Sequence, residues 1–102
     1  MNAKWTFFTN HAHVLFSISD DPDITLREVA LDVGITERAT QRIVAELEEG
    51  GYLRHEKRGR RNHYELIDDA PLRHSIESHV EIGEVLRVLK KDRTHRQSAR
   101  SA

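Results

Sequence analysis

Cysteine is missing from all 102 residues of this chain. That excludes a disulfide framework and any thiolate metal site, and it suits a reducing compartment. Long apolar runs are missing too. Nothing approaches the roughly 20 residues that a membrane-spanning helix needs. The opening "MNAKWTFFTNHAHVLFSIS" is apolar in places, but Asn10, His11 and His13 interrupt it and no small-residue cleavage site follows, so it does not read as a signal peptide. Together these absences predict a cytoplasmic protein. There is no internal repeat, no Gly-rich phosphate loop, no nucleophile elbow and no metalloprotease motif. Ser, His and Asp occur, but nothing places them as a triad. Neither an enzyme nor a cofactor is expected.

What is present is a polar, globular composition, with 37% hydrophobic and 32% charged residues. The length suits one domain with little stability to spare, a size at which pairing with a second copy is a common remedy. The formal charge is only −1, yet it is unevenly spread. Asp20 to Glu49 holds nine acidic and three basic residues. Arg54 to His63 reverses that, and Arg87 to Ala102 has six basic residues against Asp92. Charge segregated in this way creates a local field even when the sum is near zero.

Periodicity predicts a first helix over Phe7 to Ile18, with Phe8, Ala12, Leu15, Phe16 and Ser19 in a stripe that Val14 and Ile18 widen. Pro22 bars its continuation. A second helix starts at "TLRE", where Thr25 and Glu28 have the spacing of a capping box, and Gly34 suits its left-handed end. After "GIT", Thr36 caps a third helix reaching about Glu49, with Ala39, Ile43 and Leu47 inward and Thr40 and Val44 at the margin. Two helices joined by so tight a turn form a helix-turn-helix. The period then changes. Arg54–Lys57 and "HYELI" read as strands of a hairpin with its tip at Arg58 to Asn62. A last helix is expected from about Pro71 to Leu89, and a basic, disordered tail over residues 90–102.

The outward face of the third helix would carry Arg38, Gln41, Arg42 and the small Ala45, with Glu37 and Glu48 at its edge. Arg can pair with guanine, Gln with adenine, and Glu can accept from cytosine in a major groove. An ordinary solvated helix face would also be polar, so this face alone does not decide the matter. The hairpin does more. Four Lys/Arg occupy the five positions Lys57 to Arg61, with Glu56 adjacent. Such charges repel one another unless an anionic partner meets them, and phosphate would do so with release of counterions.

The segment "ITERATQRIVAELEEGGYLRHEKRGRRNHYEL" resembles the recognition helix and wing of winged helix-turn-helix transcriptional regulators, in particular small MarR-like members. It includes a Leu-Glu-Glu-x-Gly-Tyr-Leu junction and a Gly-Arg-Arg-x-x-Tyr wing. The resemblance covers about Trp5 to Ile67. It implies a mainly α fold with a small β-hairpin, in which a three-helix core carries a wing and a C-terminal helix. It also implies base contacts from Thr36, Glu37, Arg38, Gln41 and Arg42, and phosphate or minor-groove contacts from Arg58, Arg60, Arg61 and Asn62. The terminal helices are shorter than is usual in the family, which argues against the usual effector pocket.

The last predicted helix, about 71–89, is richer in apolar residues than a small core requires. With Phe8, its residues Ile76, Val80, Val85, Leu86 and Leu89 form the expected homodimer interface. On this reading residues 1–89 make up the DNA-binding domain with its dimerisation helix. A protein-interaction module of the same fold is the alternative, since an acidic protein surface could also meet the basic wing. A metal-responsive repressor is a weaker one. His74 and Glu77 could share a helical face at i, i+3, but His79 would point away from His74. His55 and His63 flank the wing, where protonation could tune affinity.

Overall fold

Two capped helix starts and one two-residue turn set the frame of this protein, whose computed structural model describes residues 5–90. In chain order come α1 (Asn10–Asp20), α2 (Leu26–Val33), α3 (Glu37–Glu49), β1 (Leu53–Arg58) and β2 (Arg61–Leu66), then a fourth helical segment, α4, at 82–90.

At α2 the Thr25 hydroxyl accepts from the Glu28 amide at 3.2 Å, and the Glu28 carboxylate accepts from the Thr25 amide at 2.9 Å. This reciprocal box satisfies two donors that the first turn leaves open. It also lowers the Glu28 pKa, chiefly through the Thr25 backbone N–H. Gly34 ends the helix at φ 85°. The Thr36 side chain then caps α3 by accepting from the Ala39 amide at 3.0 Å.

The three helices bury one core. Val14, Leu15 and Ile18 come from α1, Val29 from α2, and Ile43, Val44 and Leu47 from α3. Tyr52, Leu53 and Tyr64 seat the base of the hairpin on it, and Ile82 and Leu86 of α4 close the far side. The inward line of α3 differs from the one the sequence suggests. Thr40 and Val44 are buried, with Thr40 fully so, while Ala39 is only partly covered. Thr40 can sit there because its hydroxyl donates to the Thr36 carbonyl at 3.0 Å, which removes the penalty for burying it.

The hairpin is antiparallel, with Arg58 opposite Arg61 and Leu53 opposite Leu66. Its tip is therefore Gly59-Arg60, and Asn62 belongs to β2, opposite Lys57, rather than to the turn. Gly59 has φ 64° while no other residue type has positive φ, the pattern of a type II′ hairpin turn. The Tyr64 amide donates to the Pro22 carbonyl at 2.9 Å, tying β2 to the α1–α2 loop.

Two further expectations are corrected. Helix α1 begins at Asn10, three residues later than its apolar stripe suggests. Thr6 donates to the Phe8 carbonyl and holds that stretch in a bend, so Phe7 and Phe8 precede the helix as exposed side chains. The long C-terminal helix is also absent over 71–81. That segment doubles back on itself. Pro71 pairs with Glu81, the Leu72 amide donates to the Val80 carbonyl at 2.9 Å, and the Ile82 amide donates to the Ala70 carbonyl at 2.8 Å. The His74 ring accepts from the Ile76 amide and Ser78 donates to the Ser75 carbonyl, local bonds that compete with a helical ladder. Helix begins only after Glu81, whose amide donates to the Glu84 carboxylate at 2.9 Å. Gly83 lies against the 67–70 loop so closely that a Cβ there would sit 2.9 Å from the Asp68 carbonyl oxygen. The predicted tail, from residue 91 onward, lies outside the described residues.

Candidate nucleic-acid interface

Helix α3 is held in place from both sides. The His11 Nε2 of α1 lies 2.7 Å from Glu46 Oε1, and the His55 ring of β1 meets the Glu48 carboxylate. The hydrogen bond from His11 is the main reason the Glu46 pKa is lowered, with help from Arg42, 3.6 Å away. These pairs use the C-terminal half of the helix. Its N-terminal half presents Glu37, Arg38, Gln41 and Arg42 to solvent. Among the described residues, neither Arg38 nor Gln41 has a side-chain hydrogen bond or ion pair, so both are available to a ligand. Ala45 is exposed beside them and adds no bulk. Thr36 is also exposed, but its hydroxyl oxygen is already used as the cap of α3.

The wing residues proposed from the sequence divide into two groups. Arg60 stands at the tip and Arg58 beside it, both exposed, with Arg58 3.6 Å from Glu56. Arg61 and Asn62 are partly engaged in structure. Arg61 donates to the Asp23 carbonyl at 3.0 Å. Asn62 is half-buried and its amide is directed at the Tyr64 hydroxyl, 3.5 Å away. Farther down the hairpin, Arg54 and Glu65 pair across the strands at 2.8 Å, which raises the Arg54 pKa and lowers that of Glu65.

Asp23 is the residue that sequence reasoning missed. It lies in a loop of the acidic half, yet its carboxylate meets His63 Nδ1 at 2.7 Å while its carbonyl accepts from Arg61. The His63 hydrogen bond is the largest cause of the lowered Asp23 pKa, and Arg58 and Arg61 add to it. Nothing local in "SDDPD" pairs it with a residue 40 positions away.

The residues expected at a dimer interface are only partly brought together. Phe8 and Val85 line a groove of about 800 Å³ with Phe7, Leu72 and Tyr52, between the start of α1 and the C-terminal segment. Val80 and Leu89 are half-buried, and Ile76 is 78% exposed but on the doubled-back loop. Leu86 is the correction: it is 4% exposed and belongs to the chain's own core, so it is not a contact for a second chain. With residues 71–81 non-helical, the i, i+3 argument for His74 and Glu77 lapses as well. Among the described residues, no helix is long and apolar enough to cross a membrane.

Comparison with known proteins agrees with this architecture. Residues 9–54 match the family model described as winged helix-turn-helix DNA-binding. No curated protein matches the chain by sequence. Among solved structures, Streptococcus pneumoniae FabT in complex with DNA superposes with a TM-score of 0.57 at 17% identity, over 98% of this chain and 63% of that one. Streptomyces coelicolor PcaV in complex with its natural ligand gives 0.55 at 22% identity, over 99% of this chain and 77% of that one. A mutant of Lactococcus lactis ZitR gives 0.55 at 15% identity, over 99% and 60%. The chain thus spans about three fifths of the length of FabT and ZitR. Helix order, wing and the match over 9–54 agree: this chain has a winged helix-turn-helix fold, similar to those of FabT, PcaV and ZitR.

Proposed function

We propose that this protein is a sequence-specific regulator of transcription that binds double-stranded DNA as a homodimer in the cytoplasm. Helix α3 enters the major groove, where Arg38, Gln41 and Arg42 read base edges, with Glu37 and Thr36 at the entry. The wing tip, Arg58 and Arg60, meets phosphate or the adjacent minor groove, with Arg61 and Asn62 supporting it from β2. The observation that carries this reading is the pairing of two surfaces. Arg38 and Gln41 are unpartnered and solvent-facing on α3, and the hairpin that follows α3 in the chain has a basic, solvated tip.

Homodimerisation draws support from apolar side chains left in solvent at one end of the molecule. Trp5 is 69% and Phe7 90% exposed, beside the groove that Phe8 and Val85 line. A second copy covering them would set two α3 helices on half-sites about one DNA turn apart.

A titration of a labelled random-sequence duplex at several salt concentrations tests the proposal. Binding that weakens linearly on a log–log plot supports it. Absence of binding at low salt refutes it and favours a protein-interaction module, in which the basic wing meets an acidic partner. Sedimentation of the free protein tests the dimer.

A further inference from the structure

Three contacts attach the wing to the α1–α2 loop, and all three converge on two residues of that loop. The Tyr64 amide donates to the Pro22 carbonyl at 2.9 Å, Arg61 donates to the Asp23 carbonyl at 3.0 Å, and His63 Nδ1 lies 2.7 Å from the Asp23 carboxylate. The first two are insensitive to pH near neutrality. The third is not, because imidazole is the side chain that changes charge between about pH 5 and 8. The loop is itself braced: the Asp23 amide donates to the Asp21 carboxylate at 3.1 Å and the Ile24 amide to the Asp21 carbonyl at 3.0 Å. Asp23 is therefore held within its own loop, and β2 is set against it.

We infer that Asp23 and His63 are positioning residues for the wing: their contact sets the angle at which Arg58 and Arg60 are presented, and protonation of His63 tightens it. This rests on the DNA-binding reading above. Neither residue needs to touch DNA for it to hold. A neutral imidazole offers Asp23 one hydrogen bond, whereas an imidazolium offers a charge-assisted one. Other charged groups near His63 come from each neighbouring element. Glu56 is its cross-strand partner on β1, Arg61 and Glu65 stand two residues away on its own face of β2, and Glu28 of α2 lies within the field of Arg61. Among the described residues, Asp23 makes the direct side-chain contact with the His63 ring. A second histidine, His55, meets Glu48 on α3 and lies tilted against Tyr64 with ring centroids 5.8 Å apart, so it braces the core side of the same hairpin. Its effect belongs to α3 and is separable by mutation.

The test is DNA affinity of the full chain from pH 5.5 to 8.5 at constant ionic strength, for wild type, Asp23→Asn, His63→Gln and His63→Lys. Wild-type affinity should rise about two- to thirtyfold on acidification through the imidazole range, the size expected of one exposed ion pair in each of the two wings of a homodimer. Asp23→Asn and His63→Gln should each make this dependence shallower. His63→Lys keeps a permanent cation opposite Asp23 and should bind as tightly at high pH as wild type does at low pH. If protonated His63 instead contacts phosphate itself, Asp23→Asn will keep the full wild-type slope, and that result overturns the inference. Amide hydrogen exchange of the free protein gives a readout independent of DNA. Exchange at Tyr64 should accelerate in Asp23→Asn and His63→Gln but not in Arg60→Ala, and equal protection in all three would also overturn it. A wild-type protein that never binds duplex DNA would refute the proposed function, while the Tyr64 exchange data would still decide the wing contact.

Discussion

Removing the side chain of Arg60 is the sharpest perturbation available. Arg60 stands at the second position of the hairpin turn, is solvated, and has no partner among the described residues. Arg60→Ala should therefore leave the melting temperature unchanged, since surface substitutions away from specific contacts stay within about 0.5 kcal/mol. Its effect should fall on binding. Each phosphate neutralised on B-DNA adds about 0.9 to the slope of log affinity against log salt. In a homodimer with both wings engaged, the substitution removes two contacts, so the slope should fall by about 1.8. Between about 50 and 200 mM salt the affinity of wild type would then drop about 12-fold more than that of the variant. The assay is fluorescence anisotropy on cognate and random duplexes, with both losing equally because phosphate carries no sequence. An unchanged slope would show that the wing tip does not meet phosphate. A fall near 0.9 would mean that one wing engages per complex, which contradicts a symmetric dimer. Arg61→Ala is the informative contrast. It also removes the bond to the Asp23 carbonyl, so it should loosen the hairpin as well as the complex.

Gln41→Ala should leave the salt slope unchanged but relax preference at single base pairs by about 1–3 kcal/mol, measured by competition with substituted duplexes. Leu86→Ala should destabilise the fold by about 2–5 kcal/mol at all protein concentrations, because Leu86 is core; a loss that appears only on dilution would return it to an interface. Gly83→Ala should cost about 1–3 kcal/mol in chemical denaturation, since the new methyl meets the Asp68 carbonyl backbone, and a neutral result would mean that the 67–70 loop yields freely. Asp23, Glu28, Glu46 and Glu65 all have lowered pKa values, so each stabilises the fold above the ordinary carboxylate range and loses that contribution as pH falls through its folded-state value. Stability should accordingly fall on acidification below that range. Thr25→Ala should lower stability by about 1 kcal/mol at neutral pH and flatten the part of the acid dependence due to Glu28.

The local elements were legible because their signals are local. The capping box at Thr25 and Glu28, the cap at Thr36, the glycine end of α2 and the hairpin around Gly59 each depend on residues within four positions of one another. Those same short-range rules made the helix-turn-helix and the basic tip visible, and with them Arg38, Gln41, Arg58 and Arg60 as solvent-facing candidates. Where local rules were silent or tied, tertiary contacts decided. Thr40 is polar and lies at the margin of the apolar stripe, but packing turns it fully inward and a carbonyl four residues earlier satisfies its hydroxyl. The apolar spacing from Pro71 to Leu89 fits a helix as well as a doubled-back segment, and only the pairing of Leu72 with Val80 and of Ile82 with Ala70 selects the latter. Gly83 reads as an ordinary gap in a stripe until the 67–70 loop is seen against it. The wing shows the difference most clearly. Its charge is written in five consecutive residues, Lys57 to Arg61, but its attachment depends on Asp23, 40 positions before His63. Periodicity and capping cannot report a contact of that range, because it exists only once the helices have packed and brought the α1–α2 loop against β2.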